Sequence, residues 1–176
     1  MAKKKAVNTL SIQTSKLQEM VARAVKGAKN DKILPLTQMM AIQLKDNVLT
    51  LITTSITNTL YIREDKVDGN DFYVVVPVEK FSKLIARLTS DTVSMEIDTK
   101  SKSLAIKGNG NYNVEIEYDE DDEIVNFPDP LSEIELEEDS VEVLGSTVRT
   151  ILSTLRPALA QTLENPQYTG YYVGEK

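Results

Sequence analysis

The chain has 176 residues, a formal net charge of −7, and neither cysteine nor histidine. Their absence excludes disulfide frames and thiol chemistry and removes the commonest general bases, nucleophiles and metal ligands, so no enzyme activity, cofactor or metal is expected. No apolar run approaches the roughly 18 residues of a membrane span, and Met1 to Ile12, basic at Lys3, Lys4 and Lys5, lacks the apolar core of a signal peptide; a soluble, cytoplasmic protein with no membrane partner is expected.

Leu10 and Ile12 alternate as in a strand, and Leu17, Met20, Val21 and Ala24 then follow at the i, i+3, i+4, i+7 spacing of a helix. Ser15 with Gln18 has the capping-box pattern of a helix start. Alternating runs follow at Leu36 to Leu44, Val48 to Thr54 and Ile56 to Ile62, with a turn at Lys45-Asp46-Asn47, and Pro35 stands just before the first of them.

The same sequence of signals recurs 64 residues later. Val74 and Val76 alternate, Pro77 suits the first turn of a helix, and Phe81, Leu84, Ile85 and Leu88 repeat the helical spacing. Strands are predicted at Val93 to Asp98, Leu104 to Lys107 and Tyr112 to Tyr118. Gly108-Asn109-Gly110 has the glycines of a phosphate loop, but it joins two strands with no helix after it, which predicts a hairpin turn.

A third copy lies 67 residues further on, with Val141, Val143, Val148, Ile151, Leu152 and Leu155 at the six positions. Its helix is predicted over about Ser146 to Glu164, with Pro157 kinking it or displacing its hydrogen bonds. A strand beginning at Tyr168 to Val173 follows, with Pro166 where the first copy has Pro35. Tyr168, Tyr171 and Tyr172 suit strand packing better than base stacking. The chain therefore reads as an α+β protein: two complete βαβββ units, each helix packed on antiparallel sheet, plus a truncated third unit.

Charge is segregated. Thirteen of the 27 acids and no base fall within Glu117 to Glu142, which leaves fourteen acids against twenty bases elsewhere, a net +6. On a helical wheel Lys16, Arg23 and Lys26 lie away from the apolar stripe of the first helix, Lys80, Lys83 and Arg87 oppose that of the second, and Arg149 and Arg156 share one side of the third. Such stripes suit contact with a phosphate backbone, which is electrostatic and independent of sequence. The same lysines would also keep an exposed helix soluble, and Glu19 and Glu79 dilute the stripes. Asp119-Glu120-Asp121-Asp122-Glu123 lacks the spacing and turn glycine of a calcium loop and reads as a solvated linker.

These residues resemble a known family, the bacterial replicative sliding clamp, the β subunit of DNA polymerase III. The resemblance runs through Lys32-Ile33-Leu34-Pro35-Leu36 (a P-I-L-like segment) and Asn47-Val48-Leu49-Thr50-Leu51-Ile52-Thr53-Thr54-Ser55-Ile56 (a G-x-L-x-L-x-x-T-D-L pattern). It continues in Val76-Pro77-Val78-Glu79-Lys80-Phe81 (V-P-A-x-x-F) and Phe127-Pro128 (E-F-P). Ser55 stands where clamps usually have Asp, Thr37-Gln38-Met39 lacks the usual small residue and Asn, and Pro157 replaces a common aromatic.

The resemblance implies the DNA clamp fold, with 1–128 as the N-terminal domain, 129–140 as an acidic linker and 141–176 as the incomplete start of a second domain. Clamp subunits carry three such domains and dimerise head to tail into a ring. Helices line the hole and track duplex DNA without reading its sequence. The resemblance thus implies a processivity factor for a replicative polymerase, with duplex DNA, polymerase and clamp loader as partners and a homodimer as the full-length form. It assigns DNA contact to Lys16, Arg23, Lys26, Lys80, Lys83, Arg87, Arg149 and Arg156, and a subunit interface to Tyr112, Val114 and Ile116. The third domain and the peptide pocket between the second and third domains lie outside what this chain matches. Two further readings stay open: a divergent phage or plasmid clamp-like regulator that binds replication proteins without encircling DNA, and an acidic module in which Glu117 to Glu142 mimics nucleic acid.

Overall fold

The computed structural model describes residues 9–29, 31, 33–55, 57–129, 143–160 and 166–171. The chain divides into two compact units, 1–131 and 132–176. In the first, the order is β1 (Thr9–Gln13), α1 (Thr14–Ala24), β2 (Met39–Lys45), β3 (Val48–Thr54), β4 (Thr59–Glu64), β5 (Asp68–Gly69), β6 (Phe72–Pro77), α2 (Val78–Ile85), β7 (Thr92–Asp98), β8 (Ser103–Lys107) and β9 (Asn111–Glu115).

The two βαβββ repeats are interlocked rather than placed side by side. One sheet has the order β5-β1-β7-β8-β9 and the other β4-β3-β2-β6. Each contains the three-stranded meander of one repeat joined by the leading strand of the other: β1 pairs with β7 (Ser11 opposite Ser94) and β6 with β2 (Val74 opposite Ile42), all antiparallel, and the short β5 adds a fifth strand on the far side of β1. Neither repeat completes a sheet alone, so the two must fold as one body.

The repeat positions explain why. Leu10, Ile12, Leu17, Met20, Val21 and Ala24 are all buried, as are Val74, Val76, Phe81, Ile85 and Leu88, with Leu84 partly so. They form one core with Met40, Ile42 and Leu44 of β2, Leu49 and Leu51 of β3, and Met95, Leu104 and Ile106 of the other sheet. Removing each large apolar side chain from water contributes about 1.5–3 kcal/mol.

Local chemistry sets the junctions. Asp46 and Asn47 both have positive φ (52° and 62°), the two-residue turn that matches the twist of the β2–β3 hairpin, and Asn tolerates that conformation better than most residues. Gly108 to Gly110 turns β8 into β9, with the Gly108 N–H donating to the Gly110 carbonyl at 2.9 Å, so the glycines serve a hairpin. Thr53 Oγ1 donates to the Ala24 carbonyl at 2.7 Å and ties the end of α1 to β3. Gly27 makes that approach possible, since a Cβ there would overlap the Thr53 hydroxyl and lie 2.7 Å from Leu60 Cβ.

Several expectations shift. The Ser15–Gln18 capping box does not form: α1 starts at Thr14 with Gln13 as its unbonded cap, and Gln18 reaches across to α2 instead. Pro77 is the cap of α2, one residue before its first turn. Pro35 opens a 3₁₀ turn over Pro35–Gln38, so the strand expected from Leu36 starts at Met39. The strand expected over Tyr112 to Tyr118 stops at Glu115. There the chain leaves its sheet, and the Glu117 N–H donates to the Val75 carbonyl of β6 at 2.8 Å.

Residues 116–129 then run back over the outer face of the four-stranded sheet. Phe127 is buried there against Ala41, Ile52 and Val75. Tyr73 pins this strap by a pair of bonds, its hydroxyl accepting from the Phe127 N–H at 2.9 Å and donating to the Val125 carbonyl at 3.2 Å. Burial pushes the Tyr73 hydroxyl above its usual pKa.

In the second unit α3 spans Gly145–Leu155 and gives way to a 3₁₀ turn over Arg156–Ala158, so Pro157 ends the α-helix that was expected to reach Glu164. Pro166 opens a 3₁₀ turn through Tyr168, as Pro35 does in the first unit. The strand expected from Tyr168 is not formed by its described residues, because no strand in this unit's described residues offers it a ladder. Tyr168 and Tyr171 are exposed, and the Tyr171 hydroxyl donates to the Leu152 carbonyl at 3.2 Å. Val143 is exposed and outside any strand; Val141, Tyr172 and the acidic stretch 130–142 lie outside the described residues.

Candidate nucleic-acid interface

α1 and α2 lie against one another and run antiparallel. Gln18, near the start of α1, donates through Nε2 to the Ile85 and Leu88 carbonyls at the end of α2, both at 3.0 Å. At the opposite end Val25, just past α1, shares a groove with Val78, the first residue of α2. Gln18 thereby adds a second donor to the Ile85 carbonyl, which also accepts the Leu88 N–H at 3.2 Å, and a donor to the Leu88 carbonyl past the end of α2. The two helices bury one face each in the common core and turn the other face outward together.

The outward faces carry the cations marked out by their spacing. Lys16, Arg23 and Lys26 from the first helical segment, and Lys80, Lys83 and Arg87 from the second, are all exposed. Arg149 on α3 and Arg156 in the turn after it are exposed in the second unit.

Helical spacing missed two of the four carboxylates that pair with these cations. Lys16 is bonded to Glu64 at the end of β4, and Lys80 to Glu115 at the end of β9 at 2.7 Å. Lys83 pairs with Glu79 at 2.5 Å and Arg23 with Glu19 at 3.5 Å, each one turn away on its own helix. The pairing has titration consequences: the Lys83 ammonium, by its hydrogen bond and its charge, holds the Glu79 carboxyl below its ordinary pKa. Lys80 does the same to Glu115 and is itself raised by it. Among the described residues no carboxylate pairs with Lys26 or Arg87. The i, i+4 spacing exposes Glu79–Lys83 and Glu19–Arg23 in the sequence, whereas Glu64 and Glu115 are brought in only by the sheets.

β9 ends its sheet, and its outer backbone edge is unpaired among the described residues. Of the residues expected at a subunit interface, Val114 and Ile116 are buried in the unit's own core and Tyr112 is half-buried. A groove of about 920 Å³ separates β9 from α2, lined by Leu84, Tyr112 and Val114 and rimmed by Lys80, Lys83 and Arg87.

The acidic loop, read as a solvated linker, is exposed throughout and forms a built turn. Asp119 to Glu123 form the tip of a small hairpin in which the Asp119 carboxylate accepts the Asp121 and Glu123 N–H groups at 3.0 and 2.9 Å, and Lys102 holds Asp122. Among the described residues no group of carboxylates is arranged to hold a metal ion. No helix among them is long and apolar enough to cross a membrane.

No protein-family model matches the sequence, and no curated protein matches it. Solved structures do. The DNA polymerase sliding clamp of Bacillus subtilis superimposes on 92% of this chain with a TM-score of 0.71 at 16% identity. The chain has the sliding-clamp fold. The DNA polymerase III subunit beta of Pseudomonas aeruginosa matches 87% of it (TM-score 0.68, 19% identity), and that of Thermotoga maritima 87% (TM-score 0.68, 16% identity). These matches cover 43%, 40% and 40% of the respective clamps, so the chain spans about two fifths of their length. The resemblance seen in the P-I-L-like, V-P and F-P segments therefore holds at the level of fold, where identity is too low to have carried it alone.

Proposed function

We propose that this chain belongs to a DNA clamp, in which the exposed faces of α1 and α2 run along the duplex and hold it without reading its sequence. The observation that carries the reading is that two adjacent antiparallel helices from interlocked repeats, with the turns that follow them, carry six exposed cations on the fold shared with bacterial sliding clamps. Phosphate contact is local, electrostatic and indifferent to base identity, which is what a protein that must slide requires. The role is mechanical, with no bond made or broken. In this reading duplex DNA is the first partner and a replicative polymerase and its loader are the others, in the cytoplasm. The free edge of β9 and its groove beside α2 form the contact with a neighbouring subunit, through backbone pairing and the half-buried Tyr112 more than through Val114 or Ile116.

The test is titration of the purified chain onto fluorescent duplexes of unrelated sequence at several salt concentrations. Expected are similar affinities for all duplexes, a log K that falls linearly with log salt, and weakening by Lys26→Gln and Arg87→Gln. Failure to bind at about 50 mM salt, or strong preference for one sequence, would overturn the reading.

The acidic-mimic alternative gains no support from the described part of the run. There the carboxylates of Asp119 and Asp122 are engaged within the hairpin and by Lys102, and the exposed Glu120, Asp121 and Glu123 that remain form a short turn rather than a repeating array.

A further inference from the structure

Four of the six cations on the α1–α2 face already hold a carboxylate: Lys16 with Glu64, Arg23 with Glu19, Lys80 with Glu115 and Lys83 with Glu79. A face that counts six positive charges by helical spacing therefore carries a net of two once its four acids are included. Two of those acids come from strands rather than helices. Glu64 and Glu115 stand at the ends of β4 and β9, where each can reach a helix of the face.

We propose that Glu19, Glu64, Glu79 and Glu115 are resident competitors for phosphate, so that duplex DNA engages this face by exchange, each phosphate displacing a carboxylate from its lysine or arginine. The proposal rests on the nucleic-acid reading of the face and adds the residues that set its strength.

The pairs suit exchange. All are solvent-exposed on the cation side, with 51% to 67% of the side chain accessible. Exposed ion pairs are held weakly and open at little cost. The displaced carboxylate stays on its helix or strand end, however, so it repels the incoming phosphate and takes up a cation from solution. The net counterion release per contact falls, and the salt dependence of binding is shallower than six cations would give. A face tuned in this way grips and releases phosphates in succession, which favours movement along the duplex over tight residence. Lys26 and Arg87, the two cations with no carboxylate among the described residues, would make the contacts that need no exchange.

The experiment compares the full chain with Glu79→Gln, Glu115→Gln and the double variant in duplex binding across about 50–200 mM salt. Glu96→Gln serves as the control, because Glu96 pairs with Lys107 at 3.0 Å on the outward face of the five-stranded sheet, away from the helices. Each carboxamide on the helix face should raise affinity about threefold at the low-salt end and steepen the log K against log salt slope by roughly 0.9, with the double variant adding both. Glu96→Gln should change neither. Wild-type binding with no gain in affinity or slope in the double variant would overturn the exchange while leaving the nucleic-acid reading in place. An equal gain from Glu96→Gln would overturn it too, since net charge alone would then account for the effect. If neither the wild type nor the double variant binds at low salt, the nucleic-acid reading fails and the exchange falls with it.

Discussion

α1 and α3 are written in the same pattern and end in opposite states. Leu17, Met20, Val21 and Ala24 are 0% to 4% exposed, whereas Val148, Ile151, Leu152 and Leu155, at the same spacing, are 40% to 49% exposed. Periodicity of 3.6 residues selects a helix and the face it would bury; it does not supply the surface that face needs. In the first unit that surface is two sheets, each completed by a strand borrowed from the other repeat. Among the described residues of the second unit there is no strand at all. The lesson is that an amphipathic helix identifies a domain's repeat without establishing its core.

The largest test of this contrast is a matched truncation. Leu17→Ala should cost about 2–5 kcal/mol of unfolding free energy, because the vacated volume is enclosed on every side. Val148→Ala, the same position in the third copy, should cost under about 0.5 kcal/mol. Urea denaturation followed by circular dichroism measures both, and similar costs would mean that α3 is buried in solution.

A smaller contrast lies in the glycines. At Gly69 a Cβ would fall 2.6 Å from the Thr9 carbonyl oxygen and 2.9 Å from Leu10 Cα, both backbone atoms of the neighbouring strand, whereas at Gly145 nothing lies within 4 Å. Gly69→Ala should destabilise by about 1–3 kcal/mol, since backbone must move. Gly145→Ala should be neutral or gain up to about 1 kcal/mol by restricting the unfolded chain at the first residue of α3. Thermal melts of the two variants separate these outcomes.

The smallest effect concerns pH. In the β7–β8 hairpin the Asp98 carboxylate accepts from the Ser101 hydroxyl at 2.8 Å and the Lys100 N–H at 2.9 Å, and these bonds hold its pKa below the ordinary value. A carboxyl depressed on folding gives stability that is present above its unfolded pKa and lost as pH falls through the folded one. The melting temperature of the wild type should therefore drop slightly more than that of Asp98→Asn as pH falls from about 5 to about 2. Parallel curves for the two proteins would show that the Asp98 bonds do not contribute.

Much of the first unit was legible because its signals are local. The β3 strand spans Val48–Thr54 as its alternation implied, the Asp46-Asn47 turn needs only φ > 0, and Gly108 to Gly110 turn a hairpin. Some misreadings are local, as where Pro35 and Pro157 bring in 3₁₀ turns, and the others occur where a distant group takes a neighbour's place. Gln18, apt for a capping box, donates to α2 instead; the strand through Tyr118 is cut at Glu115 when Glu117 joins β6; and the Tyr168 strand has no described partner with which to form a ladder. The candidate site divides in the same way. All six cations follow from the helical wheel, although α1 and α2 end before Lys26 and Arg87, which lie in the turns after them; Glu19 and Glu79 follow from it too, whereas Glu64 and Glu115 lie 48 and 35 residues from the lysines they hold.

The sequence alone determined the repeat, the two helices with one apolar and one cationic face, and the hairpin turns, because those depend on spacing within a few residues and on the backbone preferences of Gly, Pro, Asn and Asp. Tertiary structure alone decided that the repeats exchange their leading strands, that the two cationic faces lie side by side, and that two sheet-end carboxylates occupy them. Those outcomes rest on pairing and Coulomb contact between residues far apart in the chain, and no local pattern encodes which distant partner will arrive.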